Sequence, residues 1–214
     1  MPENRPFDIE ASRTALVVVD MQNDFVRVGA PLEVPDARAT IAPIRAAIAL
    51  FRRLQRPVVF TRYIAGPKET LAWKWSPQLR PPVNCCKPGF PRRYGDADRE
   101  LDCVAVIDEL PVLPGDYVVD KYGYGAFFRT NLHDILIAED VDTVAVCGTV
   151  TQICVEETAR EAFHLGLKTV VLSDCVSSFD PAMHAATLKN FAMKFGRVMD
   201  SRALADEMES TTGR

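Results

Sequence analysis

Residues 143–160 read TVAVCGTVTQICVEETAR. The first five are apolar or β-branched, Gly148 opens a short turn, and from Gln152 apolar residues return at helical spacing. The reading is a strand buried on both faces, a tight turn and a helix. Runs of the first kind recur at 14–19 (TALVVV), 57–61 (PVVFT), 117–119 and 169–172 (TVVL), and helical patterns occupy 37–54, 132–138, 152–165 and 182–195. This alternation predicts an α/β fold, a parallel sheet with helices on both sides. A sixth strand is expected near 196–199 and a last helix from about Ser201, with Ser201 as its N-cap.

Working outward, 214 residues with 48% hydrophobic content can bury one substantial core, so a single domain over 1–214 is expected. The net charge of -4, with acids and bases interspersed, gives no basic stripe to gather phosphates, and nucleic acid is excluded as an expected partner. The polar start, 1–12, has no signal-peptide core and no apolar run reaches bilayer length, so the expectation is a cytoplasmic protein with no membrane partner. Six cysteines (85, 86, 103, 147, 154, 175) are expected as thiols, with any pairing among Cys85, Cys86 and Cys103 left open. There is no CxxC pair and the three histidines are far apart, so no metal site is expected.

The segment 64–114 breaks the rhythm. It holds eight of the fifteen prolines, both tryptophans (Trp73, Trp75) and a charged stretch at 92–102 with no clear period. An irregular insertion of that length is either an ordered excursion packed by its own aromatics or a lid over a pocket.

In an open parallel sheet, ligands bind beyond the carboxyl ends of the strands. Asp20 follows five apolar residues, a placement that partly desolvates it and makes it a candidate proton acceptor, although aspartates at strand ends also serve loop amides. Asp24 is the competing acid. Lys121 ends the third strand before YGYGAFF; it reads as a solvated surface charge or, with Gly123 and Gly125 permitting a tight turn and Phe127 and Phe128 as apolar cover, as part of a pocket. Thr151 is expected to cap the helix that carries Cys154 in its first turn, where unpaired amides and the helix dipole favour a thiolate. The alternative for Cys154 is a small packing residue, the role expected of Cys147 and Cys175. No histidine falls in these segments, so a Cys-His dyad needs one of the three scattered histidines to approach by folding, and a carboxylate is the other candidate base; His133 and His164 lie in helical patterns and read as surface or packing residues.

Together, VDMQNDF (19–25), DKYGYGAFF (120–128) and GTVTQICV (148–155) resemble the three signature segments of the isochorismatase-like cysteine hydrolases. The likeness covers about residues 12–200 and is weakest over 64–114. It implies a three-layer, Rossmann-like fold with a six-stranded parallel sheet, and a catalytic triad of Asp20, Lys121 and Cys154. It further implies a cis peptide at Thr149-Val150 and an oxyanion hole from the amides of Val150 and Cys154. The activity implied is hydrolysis of an amide, carbamoyl or ureido bond in a small molecule through a thioester-type intermediate, with no cofactor. Homodimers or homotetramers are the implied assemblies.

One departure stands out. Nicotinamidases of this family carry Asp-x-His after the second strand, with further histidines, as a metal site; here Tyr63 and Ala65 occupy those places. A carbamoyl, ureido or other amide is therefore expected rather than nicotinamide. Vinyl-ether cleavage of the isochorismatase type is the competing chemistry, and a non-catalytic binding protein on the same fold is the competing class. Phe25, Tyr63, Phe128 and Ile153 are expected as pocket walls and Gln22 as a polar substrate contact, each with ordinary packing as its alternative.

Overall fold

The computed structural model describes residues 6–211. Residues 1–5 and 212–214, the outer ends of the expected 1–214 domain and of the polar start, lie outside the described residues. The strands in chain order are β1 (Thr14–Val19), β2 (Val58–Tyr63), β3 (Pro91–Arg92), β4 (Leu101–Asp102), β5 (Tyr117–Lys121), β6 (Thr143–Thr149), β7 (Lys168–Ser177) and β8 (Arg197–Met199). Six of them form one parallel sheet in the order β5-β2-β1-β6-β7-β8, and β3 and β4 form a separate antiparallel pair. The sheet grows in one direction from β1 through β2 to β5 and in the other from β6 to β8. The chain reverses that direction between β1 and β6, where the carboxyl ends of adjacent strands open a crevice.

The helices are α1 (Asn23–Val26), α2 (Ile41–Arg53), α3 (Ala72–Trp75), α4 (Leu132–Ala138), α5 (Glu156–His164), α6 (Pro181–Lys194) and α7 (Ser201–Thr211). β1 shows why its sequence is apolar throughout: Leu16 and Val18 join one core, while Ala15, Val17 and Val19 join the other. The first core also takes Ile44, Ile48 and Phe51 from α2, Leu204 and Met208 from α7, and Leu79, Cys85, Cys86 and Cys103 from the 64–114 excursion. The second takes Leu132 and Leu136 from α4, Ala159 and Ala162 from α5, and Phe191 from α6. Both faces are covered, so alternation of polarity along the strand has no physical basis here.

Local readings are corrected at three helix starts. A 3-10 turn (Pro35–Thr40) precedes α2, because Pro35 sets a turn that α2 continues only from Ile41. Asp200, not Ser201, caps α7: its Oδ1 accepts from the Ala203 amide at 2.7 Å, while the Ser201 hydroxyl donates to Asp174. Thr151 does not cap the helix after β6; Val150 holds the N-cap position, and a π turn over Thr151–Val155 leads into α5. The Thr151 hydroxyl instead donates to the Ser177 carbonyl at 2.9 Å and meets His184 Nδ1 at 2.9 Å, tying the turn to β7 and α6.

The 64–114 excursion is pinned to the residues just after β1. Asn23 and Asp24 donate their amides to the carbonyls of Ala105 and Cys103. Asp24 is fully buried and its carboxylate accepts from the Cys86 amide (2.8 Å), Arg92 Nε (2.9 Å) and the Tyr94 hydroxyl (2.7 Å). Arg27 adds a two-pronged pair with Glu109 at 2.7 and 2.8 Å. The excursion is thus an ordered layer over one end of the first core, and only its α3 end reaches the cavity described next.

Candidate active site

The carboxyl ends of β1, β5 and β6 bring Asp20, Lys121 and Cys154 together. Asp20 follows Val19, which pairs with Thr61 on one side and Gly148 on the other; Lys121 pairs with Tyr63 at the far end of β2. Asp20 is held at φ 50°, the left-handed region that a non-glycine residue rarely occupies. Backbone strain of that kind collects at functional sites. Its side chain is 0% exposed as a residue, as is that of Lys121.

The Asp20 carboxylate is unevenly served. Oδ1 accepts from the Thr61 hydroxyl at 2.7 Å. Oδ2 stands 2.7 Å from Lys121 Nζ, an ion pair, yet no donor meets it at hydrogen-bonding angles. The ammonium directs its hydrogen bonds instead to the carbonyls of Gly123 (3.2 Å) and Tyr124 (2.8 Å). The glycine-rich loop therefore acts as a carbonyl cradle for the lysine. Gly123 and Gly125 do not supply left-handed turns; at Gly125 a Cβ would fall 2.3 Å from the Glu161 carboxylate, which itself accepts the Phe127 amide.

Burial works to lower the Lys121 pKa, but the Asp20 carboxylate and the neighbouring Cys154 outweigh it, and the net shift is upward. Lys121 is a permanent buried cation. Burial is also the largest influence on Cys154; Lys121 opposes it and Asp20 adds to it, leaving the thiol pushed up to about 12. Desolvation thus works against the thiolate that the helix terminus favours, and the balance favours a protonated thiol.

Gly148 makes this convergence possible. It sits at φ 110°, and a Cβ there would lie 2.0 Å from the Val19 carbonyl oxygen. β6 passes β1 so closely at the site that only hydrogen fits. The following peptide, Thr149-Val150, is cis.

A cavity of about 450 Å³ opens beside Cys154 and Val150. Phe25, Tyr63, Trp75, Tyr124, Ile153 and Phe179 form most of its wall, with Glu33 and Ser76 as polar members. Exposure rises from 6% at Cys154 to 58% at Phe179 and 84% at Trp75, which marks the inner and outer ends. Tyr63 stacks on Tyr124 at 6.2 Å, and its ring centre lies 5.4 Å from Lys121 Nζ, so the ring packs beside the ion pair. Burial raises the pKa of Tyr63, so its hydroxyl stays protonated and can donate.

Three expected walls, Phe25, Tyr63 and Ile153, face this space. Phe128 does not: it is 59% exposed and packs against the Arg129 guanidinium. Gln22 lies outside the cavity as well. Its Nε2 donates to the carbonyls of Tyr63 and Val104 and its Oε1 accepts the Tyr63 amide at 2.7 Å, so the amide clips β1, β2 and the excursion together. Trp75, a candidate cap from the sequence, lines the cavity, while sequence reasoning missed Glu33, Ser76, Tyr124 and Phe179. Phe179 follows the carboxyl end of β7 and Tyr124 that of β5, so the strand-end rule already pointed to both; Ser76 sits in the aperiodic excursion, which carries no such signal.

Among the described residues, Asp24, Cys85 and Cys86 bring a carboxylate oxygen and two sulfurs within 4.8 Å of one another, a grouping of soft and hard donors. Asp24 is already taken by three donors, one of them the Arg92 cation, which makes the place a poor one for a metal ion. Among the described residues, no helix is long and apolar enough to cross a membrane.

Residues 14–203 match the isochorismatase domain family. The chain is 32% identical to ureidoacrylate amidohydrolase RutB of Agrobacterium fabrum over 211 residues, covering 90% of this chain and 89% of that protein. A cysteine hydrolase from Pseudomonas syringae pv. phaseolicola superposes with a TM-score of 0.85 at 28% identity, covering 96% of each chain. N-carbamoylsarcosine amidase from Thermoplasma acidophilum superposes with a TM-score of 0.69 at 33% identity, covering 88% of this chain and 95% of that one.

Proposed function

The chain belongs to the isochorismatase domain family, and from that premise we propose that it is a cysteine amidohydrolase that cleaves a C–N bond in a small amide, carbamoyl or ureido compound, with Cys154 as nucleophile. The observation that carries the reading is the buried Asp20–Lys121 ion pair set against a neutral Cys154 at the inner end of a cavity. A thiol held at about 12 is inert unless a base takes its proton as it attacks. Asp20 Oδ2, which no donor meets at hydrogen-bonding angles, is suited to accept that proton.

The thiolate adds to the carbonyl carbon as the proton moves from Sγ to Asp20. Negative charge passes to the carbonyl oxygen, where the amides of Val150 and Cys154 receive it. The C–N bond then breaks and Asp20 returns the proton to the departing ammonia or amine, leaving a thioester on Cys154. Water enters, Asp20 accepts one of its protons, hydroxide adds to the thioester, and the C–S bond breaks as Asp20 returns that proton to Sγ, releasing the acid and the thiol. Lys121 keeps its charge throughout and holds the thiolate and carboxylate in place. Every step uses the chain's own groups.

The relatives named for ureidoacrylate and N-carbamoylsarcosine support C–N hydrolysis of small molecules as the general chemistry. Both of those substrates are ureido or carbamoyl acids. The test is release of ammonia or amine from a panel of ureido acids, carbamoyl amines, primary amides and cyclic amides, with wild type beside Cys154→Ala and no metal added. Turnover by wild type alone is expected. Equal turnover by both proteins would remove Cys154 as nucleophile, and isochorismate cleavage without C–N cleavage would move the assignment to the vinyl-ether branch.

A further inference from the structure

The cavity wall has a charge pattern that bears on which amides can enter. Among the described residues, none that lines it is an arginine, a histidine or a lysine. The buried cation of the site, Lys121, is neutralised by Asp20, spends its hydrogen bonds on Gly123 and Tyr124 and lies beside the Tyr63 ring. Among the described residues, the ionised member of the wall is Glu33, and it too is paired. Glu33 accepts the Gly29 amide at 2.8 Å and Arg38 Nη1 at 2.8 Å, and these bonds hold its carboxyl below the usual range, so it stays charged. Arg38 is spent on Glu33 and the Val26 carbonyl and is not part of the wall.

Resting on the amidohydrolase reading above, we infer that this site selects uncharged amides carrying an aromatic or branched apolar group, and discriminates against substrates that bear a carboxylate. A carboxylate taken from water into this aromatic enclosure would meet no unpaired cation, since Lys121 is matched by Asp20 and Arg38 by Glu33. An aryl or alkyl group would instead bury itself against Phe25, Tyr124, Ile153 and Phe179. Ser76, Tyr63 and Tyr124 carry the hydroxyls of the wall, the groups available to orient such a ligand. The acids processed by relatives would, on this inference, be poor substrates here.

The charge selectivity can be read without knowing the substrate, by alkylating Cys154 with neutral iodoacetamide or anionic iodoacetate and following the Cys154 peptide by mass spectrometry. A small free thiol treated in parallel sets the intrinsic ratio of the two reagents. The wild-type ratio is expected to favour iodoacetamide by about tenfold or more over that reference. Leu32→Arg, which places a cation on the wall, is expected to erase most of that preference. In the substrate panel, neutral aryl or alkyl amides should exceed carboxylate-bearing analogues of equal size by about a hundredfold in kcat/KM. Equal or preferred labelling by iodoacetate, or equal turnover of the acids, would overturn the selectivity while leaving the amidohydrolase reading intact. Should neither reagent label the protonated thiol, the substrate panel decides, and equal kcat/KM for neutral and carboxylate-bearing amides would overturn the inference. Selective labelling together with turnover that survives Cys154→Ala would instead separate a correct pocket from a wrong mechanism.

Discussion

Asp20 and Asp24 lie four residues apart, both fully buried and both beside a cation, and they do opposite things. Asp24 is saturated: an amide, a guanidinium and a phenol converge on its two oxygens, and the result is an anchor for the 64–114 layer. Asp20 is left with one oxygen facing an ammonium off hydrogen-bonding angles, next to a thiol, in a left-handed backbone conformation. A buried carboxylate whose bonding capacity is filled stabilises, and one whose capacity is partly open is available for proton transfer. The pair can be separated experimentally.

The largest effect belongs to the open site. Cys154→Ala and Asp20→Asn should each lower kcat by about a thousandfold or more on the substrate that the panel identifies. Asp24→Asn should do the reverse, costing about 3 kcal/mol in urea unfolding because Arg92 loses its buried partner, with kcat per folded molecule nearly unchanged. A kcat collapse in Asp24→Asn with stability retained would break the distinction between the two aspartates.

Gln22→Ala sharpens the boundary between the regions, since it removes the clip without touching the cavity. About 2 kcal/mol of stability should be lost through the unpaired Tyr63 and Val104 backbone groups, measured by the same unfolding. The neutral thiol gives a pH signature. Alkylation of Cys154 by iodoacetamide should accelerate about tenfold per pH unit from about pH 7 to about pH 10 with no plateau, because the group titrates near 12. The raised Cys154 and Lys121 values have one sign for stability: the contribution is complete below their unfolded values and lost as pH rises through the folded ones, so thermal unfolding should move down in the alkaline range. A plateau in alkylation near neutrality would mean a resting thiolate. Phe128→Ala should change stability by no more than about 0.5 kcal/mol and leave KM alone, whereas Phe25→Ala should raise KM.

The same contrast explains what could be read from the chain. The strands were legible because burial on both faces forces near-continuous apolar runs such as 14–19 and 143–147, and the strand-end rule then placed Asp20, Lys121 and Cys154 at one edge. β7 was read short, at 169–172, because it continues through Ser173 and Asp174 with a register shift against β6. Gln22 and Phe128 were assigned to the pocket because proximity in sequence to a strand end says nothing of where a side chain's hydrogen bonds are spent. The difference between Asp20 and Asp24 was invisible for the same reason: the donors that fill Asp24 arrive from Cys86, Arg92 and Tyr94, more than sixty residues away.

Trp75, 84% exposed at the outer end of the cavity, has an optical consequence. An indole in water emits at longer wavelength than one covered by an apolar surface, and the second tryptophan, Trp73, is partly packed against the first core and supplies a steadier background. Entry of a ligand would dry the Trp75 ring and leave Trp73 alone. The protein therefore carries its own binding reporter at the doorway, and a titration in a fluorimeter can rank candidate ligands that are never turned over.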